Sequence, residues 1–318
     1  MPTMENVARQ LLDDAMPLFG DLGAELVACH LTESPDREAT AYRDGSVEAH
    51  HWLAWSAVRR TMAPDLTTSE NAAYFGEAAT HDRGHRYRLR VTLGGDRDPD
   101  TGLLAPLAVV EGATATLRDD LAHRHLTHEV PALKGRPTTN ESLVRWLDVR
   151  LGDTLPIARL RLFEGPDRFA EHHPDGGTRI GLERWFDAAH RLHSPHLDDA
   201  ENHRVYGKCN NPSGHGHTYR IEATLAAPYD ERSGTVGDFT ALRQGMDAAV
   251  EPWHDHHLDL ETDDFRDRPS TSENILQVLW PRLGGSLRGQ LSRVRLWETE
   301  NNRFALRRKV ESGALAAG

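Results

Sequence analysis

The sequence predicts an α+β fold built twice over, and three observations carry that expectation. Shifted by about 132 residues, the chain matches itself: GHRYRLRVTL (84–93) lies on GHTYRIEATL (216–225), and residues 121–142 lie on 253–274 without a gap. Each half runs through two strand-like segments, two helical segments and a closing strand. That order suits antiparallel sheets covered by helices better than alternating βαβ units.

Taken in order, residues 1–45 form an extension outside the repeat, with an amphipathic helix expected over 5–19. Residues 46–170 form the first copy, 171–178 (EHHPDGGT) a linker, and 179–318 the second copy. In the second copy a first strand ends at WFDAAH (185–190). The next runs through HTYRIEATL (217–225), where Tyr219, Ile221 and Ala223 share one face at the strand period of two. A turn at 231–234 leads to TVGDF (235–239). Leu242, Met246, Ala249, Val250 and Trp253 then recur at helical spacing over 240–253. STSENILQVLW (270–280) opens as a capping box and predicts a second helix. Residues 292–300 read as the closing strand.

Composition excludes several functions. No apolar run approaches the roughly 20 residues of a membrane-spanning helix, and the first twenty residues carry acids where a signal peptide carries bases. The expectation is a cytoplasmic protein without a membrane partner. A net charge of -12 argues against nonspecific nucleic-acid binding. The two cysteines, Cys29 and Cys209, lack a secretory context and predict no structural disulfide. Nineteen histidines dilute the meaning of any one of them, so spacing must carry the argument.

The densest chemistry lies in YGKCNNPSGHGHTY (206–219). His215 and His217, two apart on a strand, share a face, with Gly214 and Gly216 leaving room around them. A third imidazole, His190, ends the preceding strand. Three imidazoles with an open fourth position suit zinc; a bare His-x-His is otherwise a pair of polar loop residues. Cys209, behind the NNPSG turn, is either a small buried hydrophobe or a thiol whose pKa a cation depresses. Its neighbours Lys208, Asn210, Asn211 and Pro212 fit a packed core poorly.

FDAAHRL (186–192), YGKCNNPSGHGHTY, RPSTSEN (268–274) and RLWETENN (295–302) together resemble the 6-pyruvoyltetrahydropterin synthase family, which includes the 6-carboxytetrahydropterin synthases of queuosine biosynthesis. The resemblance is specific over about 180–306, degenerate over 46–170 and absent from 1–45. It implies tandem tunnelling-fold (T-fold) domains, antiparallel sheets with two helices each, that close into a barrel on homo-oligomerisation. A tandem chain would need about half the subunits of its single-copy relatives.

By position, the resemblance implies that His190, His215 and His217 are zinc ligands. It makes Cys209 the general base and Glu298 the anchor for the guanidine-like edge of a pterin. Thr271, Ser272 and Glu273 fall on a pterin-contacting turn, though they also read as a helix cap. The implied reaction converts 7,8-dihydroneopterin triphosphate to 6-pyruvoyltetrahydropterin. A carboxytetrahydropterin product, or a non-catalytic zinc- or pterin-binding homologue, are the alternatives.

The match has two departures. The family carries Asp-His in D-H-x-x-L-D, and here the ungapped alignment inverts the pair to His254-Asp255. A one-residue slip restores Asp255-His256 as the acid–base pair. In the first copy Arg59 stands for His190, Glu77 for Cys209 and Arg83 for His215; only His85 is kept. Two arginines cannot hold zinc at that position, so no metal is expected in that half. It retains His123, Thr139, Glu141 and Glu164, so it serves either as a scaffold or as a donor of His123 to the other copy's site.

Overall fold

A computed structural model describes residues 1–20, 23, 25–174, 177–287 and 291–308. The chain divides into two compact units: residues 1–179 with 228–236, and residues 180–227 with those from 237 on. Both are α+β with antiparallel strands. The short segment 228–236 of the second sequence copy thus belongs to the first unit.

The first unit contains α1 (Met4–Phe19), β1 (Ala28–Ser34), β2 (Arg37–Tyr42), β3 (Val47–Arg59), α2 (Thr68–Phe75), β4 (Arg83–Leu93), α3 (Leu107–Leu121), α4 (Asn140–Gly152), β5 (Ile157–Glu164) and β6 (Arg168–His173). Its strands form an antiparallel meander in chain order. Alternation puts Trp55, Tyr87, Leu89 and Val91 into the core against Val110, Leu117 and Leu121 of α3 and Leu143, Val144, Leu147 and Leu151 of α4. Fully burying each such side chain contributes about 1.5–3 kcal/mol. Ion pairs occupy other strand positions: Arg90 with Glu38 (2.5 Å), Arg161 with Glu171 (2.6 Å) and Arg159 with Glu48 (3.0 Å).

The first 45 residues, expected to lie outside the repeat, instead reproduce its last third. α1, β1 and β2 follow the helix–hairpin order of α4, β5 and β6, and the residues correspond. Thr3-Met4-Glu5-Asn6 matches Thr139-Asn140-Glu141-Ser142 and Thr271-Ser272-Glu273-Asn274, and in each case the Thr caps its helix. Leu31, Glu33, Arg37 and Ala39 correspond to Leu162, Glu164, Arg168 and Ala170. The hairpins share one register, Leu31 opposite Ala39 and Leu162 opposite Ala170. Thr3 donates its hydroxyl to the Gly102 carbonyl (3.2 Å), as Thr139 does to that of Gly234. Gly102 and Gly234 both sit at φ 73°, which favours glycine at these turns.

The second unit is built from β7 (Gly177–His190, its first three residues lying in the first unit), α5 (Asp199–Tyr206), β8 (His215–Ala226), α6 (Phe239–Val250), β9 (His256–His257), α7 (Leu258–Glu261), α8 (Ser272–Ser286), β10 (Leu291–Trp297) and β11 (Arg303–Arg307). The sheet order is β7-β8-β10-β11, with β9 parallel to β7. All five residues named for the 240–253 helix are buried, and Asp238 caps α6 by accepting from the Thr240 and Ala241 amides. Phe186 stacks on Tyr219 at 4.9 Å.

Two short helices were not foreseen. α2 and α5 each open with a capping box, Thr67/Glu70 and Asp198/Glu201, and each buries one asparagine. Asn71 bonds the backbone of Ala63 and Leu66, and Asn202 that of Ser194 and Leu197. Eight residues with almost no apolar face leave little periodicity to read.

Candidate active site and metal centre

His190 reaches the site because β7 runs to its C-terminal end there, and His215 and His217 because β8 begins there. The His190 and His215 Nε2 atoms are 3.2 Å apart. One ligand nitrogen from each of the three imidazoles lies within 4.8 Å of the others. His190 is fully buried. Its Nδ1 donates to the Ser270 carbonyl (3.2 Å), with the Tyr219 hydroxyl at 3.3 Å. That bond fixes the tautomer and turns the Nε2 lone pair toward the other two rings.

Burial lowers the pKa of His190 and of His217, favouring neutral imidazoles that retain a free lone pair. The buried His217 Nε2 has no hydrogen-bond partner. An orphaned buried nitrogen is costly unless something occupies it. Three inward nitrogens, one of them orphaned, fit a tetrahedral cation such as zinc with one position open.

Behind His190, the Asp259 carboxylate accepts from the Ser270 hydroxyl (2.9 Å) and the Arg191 amide (2.8 Å). It thereby holds the segment whose carbonyl orients the imidazole. Asp259 was not among the expected site residues. Gly214 is equally constrained: at φ +66°, a Cβ there would lie 2.7 Å from His257 Nε2 and 2.9 Å from the His190 carbonyl oxygen.

Glu298, just past β10, faces the cluster. Its Oε1 is 3.5 Å from His190 Nε2 and 3.7 Å from His217 Nε2. Thr271 caps α8; Ser272 is buried with an unpartnered hydroxyl, and Glu273 is exposed. Cys209 is half-buried in a tight 3-10 turn over Gly207–Asn210, and its carbonyl accepts from the Leu192 amide (2.9 Å), two residues beyond His190.

The inverted pair lies at the rim. Asp255 adopts a left-handed φ of 61° and donates its amide to the Asp187 carbonyl (2.8 Å). His254 Nδ1 accepts from the Asp187 amide (3.1 Å), and its Nε2 is 3.8 Å from the Asp255 carboxylate. The His256 ring donates to the His254 carbonyl (2.7 Å). An open cleft of about 530 Å³ brings Asp255, His256 and His257 together with His217.

The corresponding place in the first unit is filled differently. The Arg59 guanidinium is buried against Glu164 (2.7 Å) and Asn140 (2.9 Å), and His85 Nε2 lies 2.9 Å from the other Glu164 oxygen. Burial would raise the pKa of Glu164, but Arg59, His85 and Arg168 hold it well below the usual carboxylate range. Arg83 and Glu77, the counterparts of His215 and Cys209, form their own ion pair at 3.2 Å.

An α+β chain of repeated antiparallel sheets, with three imidazoles and a carboxylate gathered where two strands meet, defines the class of protein. Residues 60–175 and again 179–309 match the family described as 6-pyruvoyl tetrahydropterin synthase. The chain belongs to that family, in tandem form. It is 41% identical over 125 residues to the 6-pyruvoyl tetrahydrobiopterin synthase of Drosophila melanogaster, covering 38% of this chain and 74% of that one. It is 40% identical over 119 residues to the human synthase, covering 37% and 82%. The solved 6-pyruvoyl tetrahydropterin synthase of Caenorhabditis elegans aligns at 36% identity and a TM-score of 0.39, over 41% of this chain and 96% of that one.

Proposed function

We propose that the chain is a zinc-dependent carbon–oxygen lyase that converts 7,8-dihydroneopterin triphosphate to 6-pyruvoyltetrahydropterin, working from its second copy. The observation that carries this reading is the inward convergence of His190, His215 and His217 with an orphaned Nε2 on His217. Zinc bound by these three residues would polarise the substrate's side-chain oxygens and acidify the adjacent C–H bonds.

The remaining roles belong to the chain. Cys209 takes the side-chain proton as general base. Its proximity to the metal is supported by the first unit, where the counterparts of Cys209 and His215 touch as an ion pair. Glu298 accepts hydrogen bonds from the guanidine-like edge of the pterin, and Thr271, Ser272 and Glu273 contact the same ring. Asp255 and His256 line the His217 cleft, His254 sits beside them against Asp187, and the three relay protons to solvent. The redox change is internal to the substrate, and triphosphate departs with the electrons of the broken C–O bond.

Assembly follows the same reading. The chain acts as a homo-oligomer whose sheets close into a barrel, and it resides in the cytoplasm. The ion-paired strand positions Arg161–Glu171 and Arg293–Glu222 support a sheet face directed at a polar interior.

The test is incubation of zinc-loaded protein with 7,8-dihydroneopterin triphosphate, with products identified by mass. Wild type should release triphosphate and yield the pyruvoyl product; Cys209→Ala should keep the metal and lose turnover by at least about a hundredfold. Acetaldehyde release would assign the carboxytetrahydropterin reaction instead. Stoichiometric zinc without triphosphate release would leave a non-catalytic zinc- or pterin-binding homologue.

A further inference from the structure

The first unit carries a second group of potential ligands, away from the position that Arg59 has filled. Asp82, immediately before β4, and His125 and His128, in the turn after α3, each offer one ligand atom within 4.8 Å of the others. His125 Nε2 is 3.2 Å from an Asp82 oxygen, and the His125 and His128 rings lie 4.2 Å apart, centroid to centroid.

The turn is held rigidly. Val58 donates its amide to the Arg124 carbonyl (2.9 Å) and accepts from the Leu126 amide (2.7 Å). The Arg60 amide bonds the Thr127 hydroxyl (3.1 Å), and the His125 amide bonds Glu129 (2.6 Å). Preorganisation of this kind is what a ligand set requires.

A second, independent observation points to a ligand. The ring Nδ1 of His125 is buried without a hydrogen-bond partner, while its Nε2 meets Asp82 at 3.2 Å. An imidazole has two ring nitrogens to satisfy, so leaving the buried Nδ1 unmet is costly. The second copy lacks the rest of the set: opposite His257, the counterpart of His125, it has Gly214 for Asp82 and Leu260 for His128.

We propose that Asp82, His125 and His128 bind a divalent transition-metal ion that ties the start of β4 to the turn after α3. Two imidazoles and one carboxylate favour zinc over magnesium or calcium, and leave a position for water. The Arg60 Nε–H donates to Asp82 Oδ1 (2.9 Å), but a carboxylate retains a second oxygen and further lone pairs. The sequence predicts no metal in this half, because arginines replace two of its imidazoles; the proposed site departs from that expectation by using other residues.

The probe is zinc alone, added to the full-length chain carrying His215→Ala and His217→Ala, which removes the second-copy cluster. Equilibrium dialysis with metal analysis should find one zinc per chain, and zinc should raise Tm. Adding His128→Ala, at an exposed position, should abolish both effects, as should Asp82→Asn. In the otherwise native chain, His128→Ala should lose one of two zinc ions and retain turnover. No zinc on the His215→Ala/His217→Ala chain, or zinc binding indifferent to His128→Ala and Asp82→Asn, would overturn the proposal without touching the second-copy site.

Discussion

Arg59 lies 2.7 Å from Glu164 in the first copy, at the place where the second copy sets His190 3.5 Å from Glu298. One buried cation, covalently part of the chain, thus sits where the other copy gathers three imidazoles. Arg59→Ala should strand the Glu164 carboxylate without its main counter-charge and destabilise the protein by about 3–5 kcal/mol. The double replacement Arg59→Met/Glu164→Gln should recover much of that loss. Urea denaturation of the three proteins checks both outcomes.

Glu141 gives a pH signature. It is buried in α4, accepts from the Val236 amide (3.3 Å), and burial raises its pKa from 4.5 to about 7. Because the folded-state pKa is raised, the stabilisation is fully present below the unfolded pKa. It fades as pH rises through about 7. That contribution amounts to about 3 kcal/mol. Glu141→Gln, which mimics the protonated form, should gain stability relative to wild type between pH 4.5 and 7, measured by chemical denaturation across that range.

Gly214→Ala tests the entry to β8. Its Cβ would fall 2.9 Å from the His190 carbonyl oxygen, a backbone atom, in a conformation that side chains rarely adopt. The substitution should cost about 1–3 kcal/mol and shift His215 out of line. Thermal melts should register the first effect and weakened zinc retention the second.

Asp259→Asn leaves all three imidazoles in place but removes the charge that braces Ser270. Loss of such outer support costs about 10–100-fold in metal affinity. Competition with a chromophoric chelator measures it. Unchanged affinity would show that the Ser270 carbonyl orients His190 without help from Asp259.

Much of the site was legible because local rules bind it. The period of two puts His215 and His217 on one face, helical spacing buries Leu242, Met246, Ala249, Val250 and Trp253, and α8 starts within STSEN, though Thr271 caps it through the Asn274 amide and no capping box forms. The likeness of the first 45 residues to the last third of a copy was hidden because only scattered positions such as Thr3, Glu33 and Arg37 carry it. Asp259 was hidden because its partners, Arg191 and Ser270, are 68 and 11 residues away.

By itself, then, the sequence determined the repeat, the principal strands and two longer helices of each copy, and the residue types able to hold a cation or move a proton. These follow from periodicity and from side-chain chemistry, which are properties of short stretches. Tertiary structure decided that Arg59 reaches Glu164 across 105 positions, that residue 255 turns left-handed at the rim, and that Asp82 meets His125. Such pairings arise only when distant segments close on one another, and the sheet that closes them is set by the whole chain.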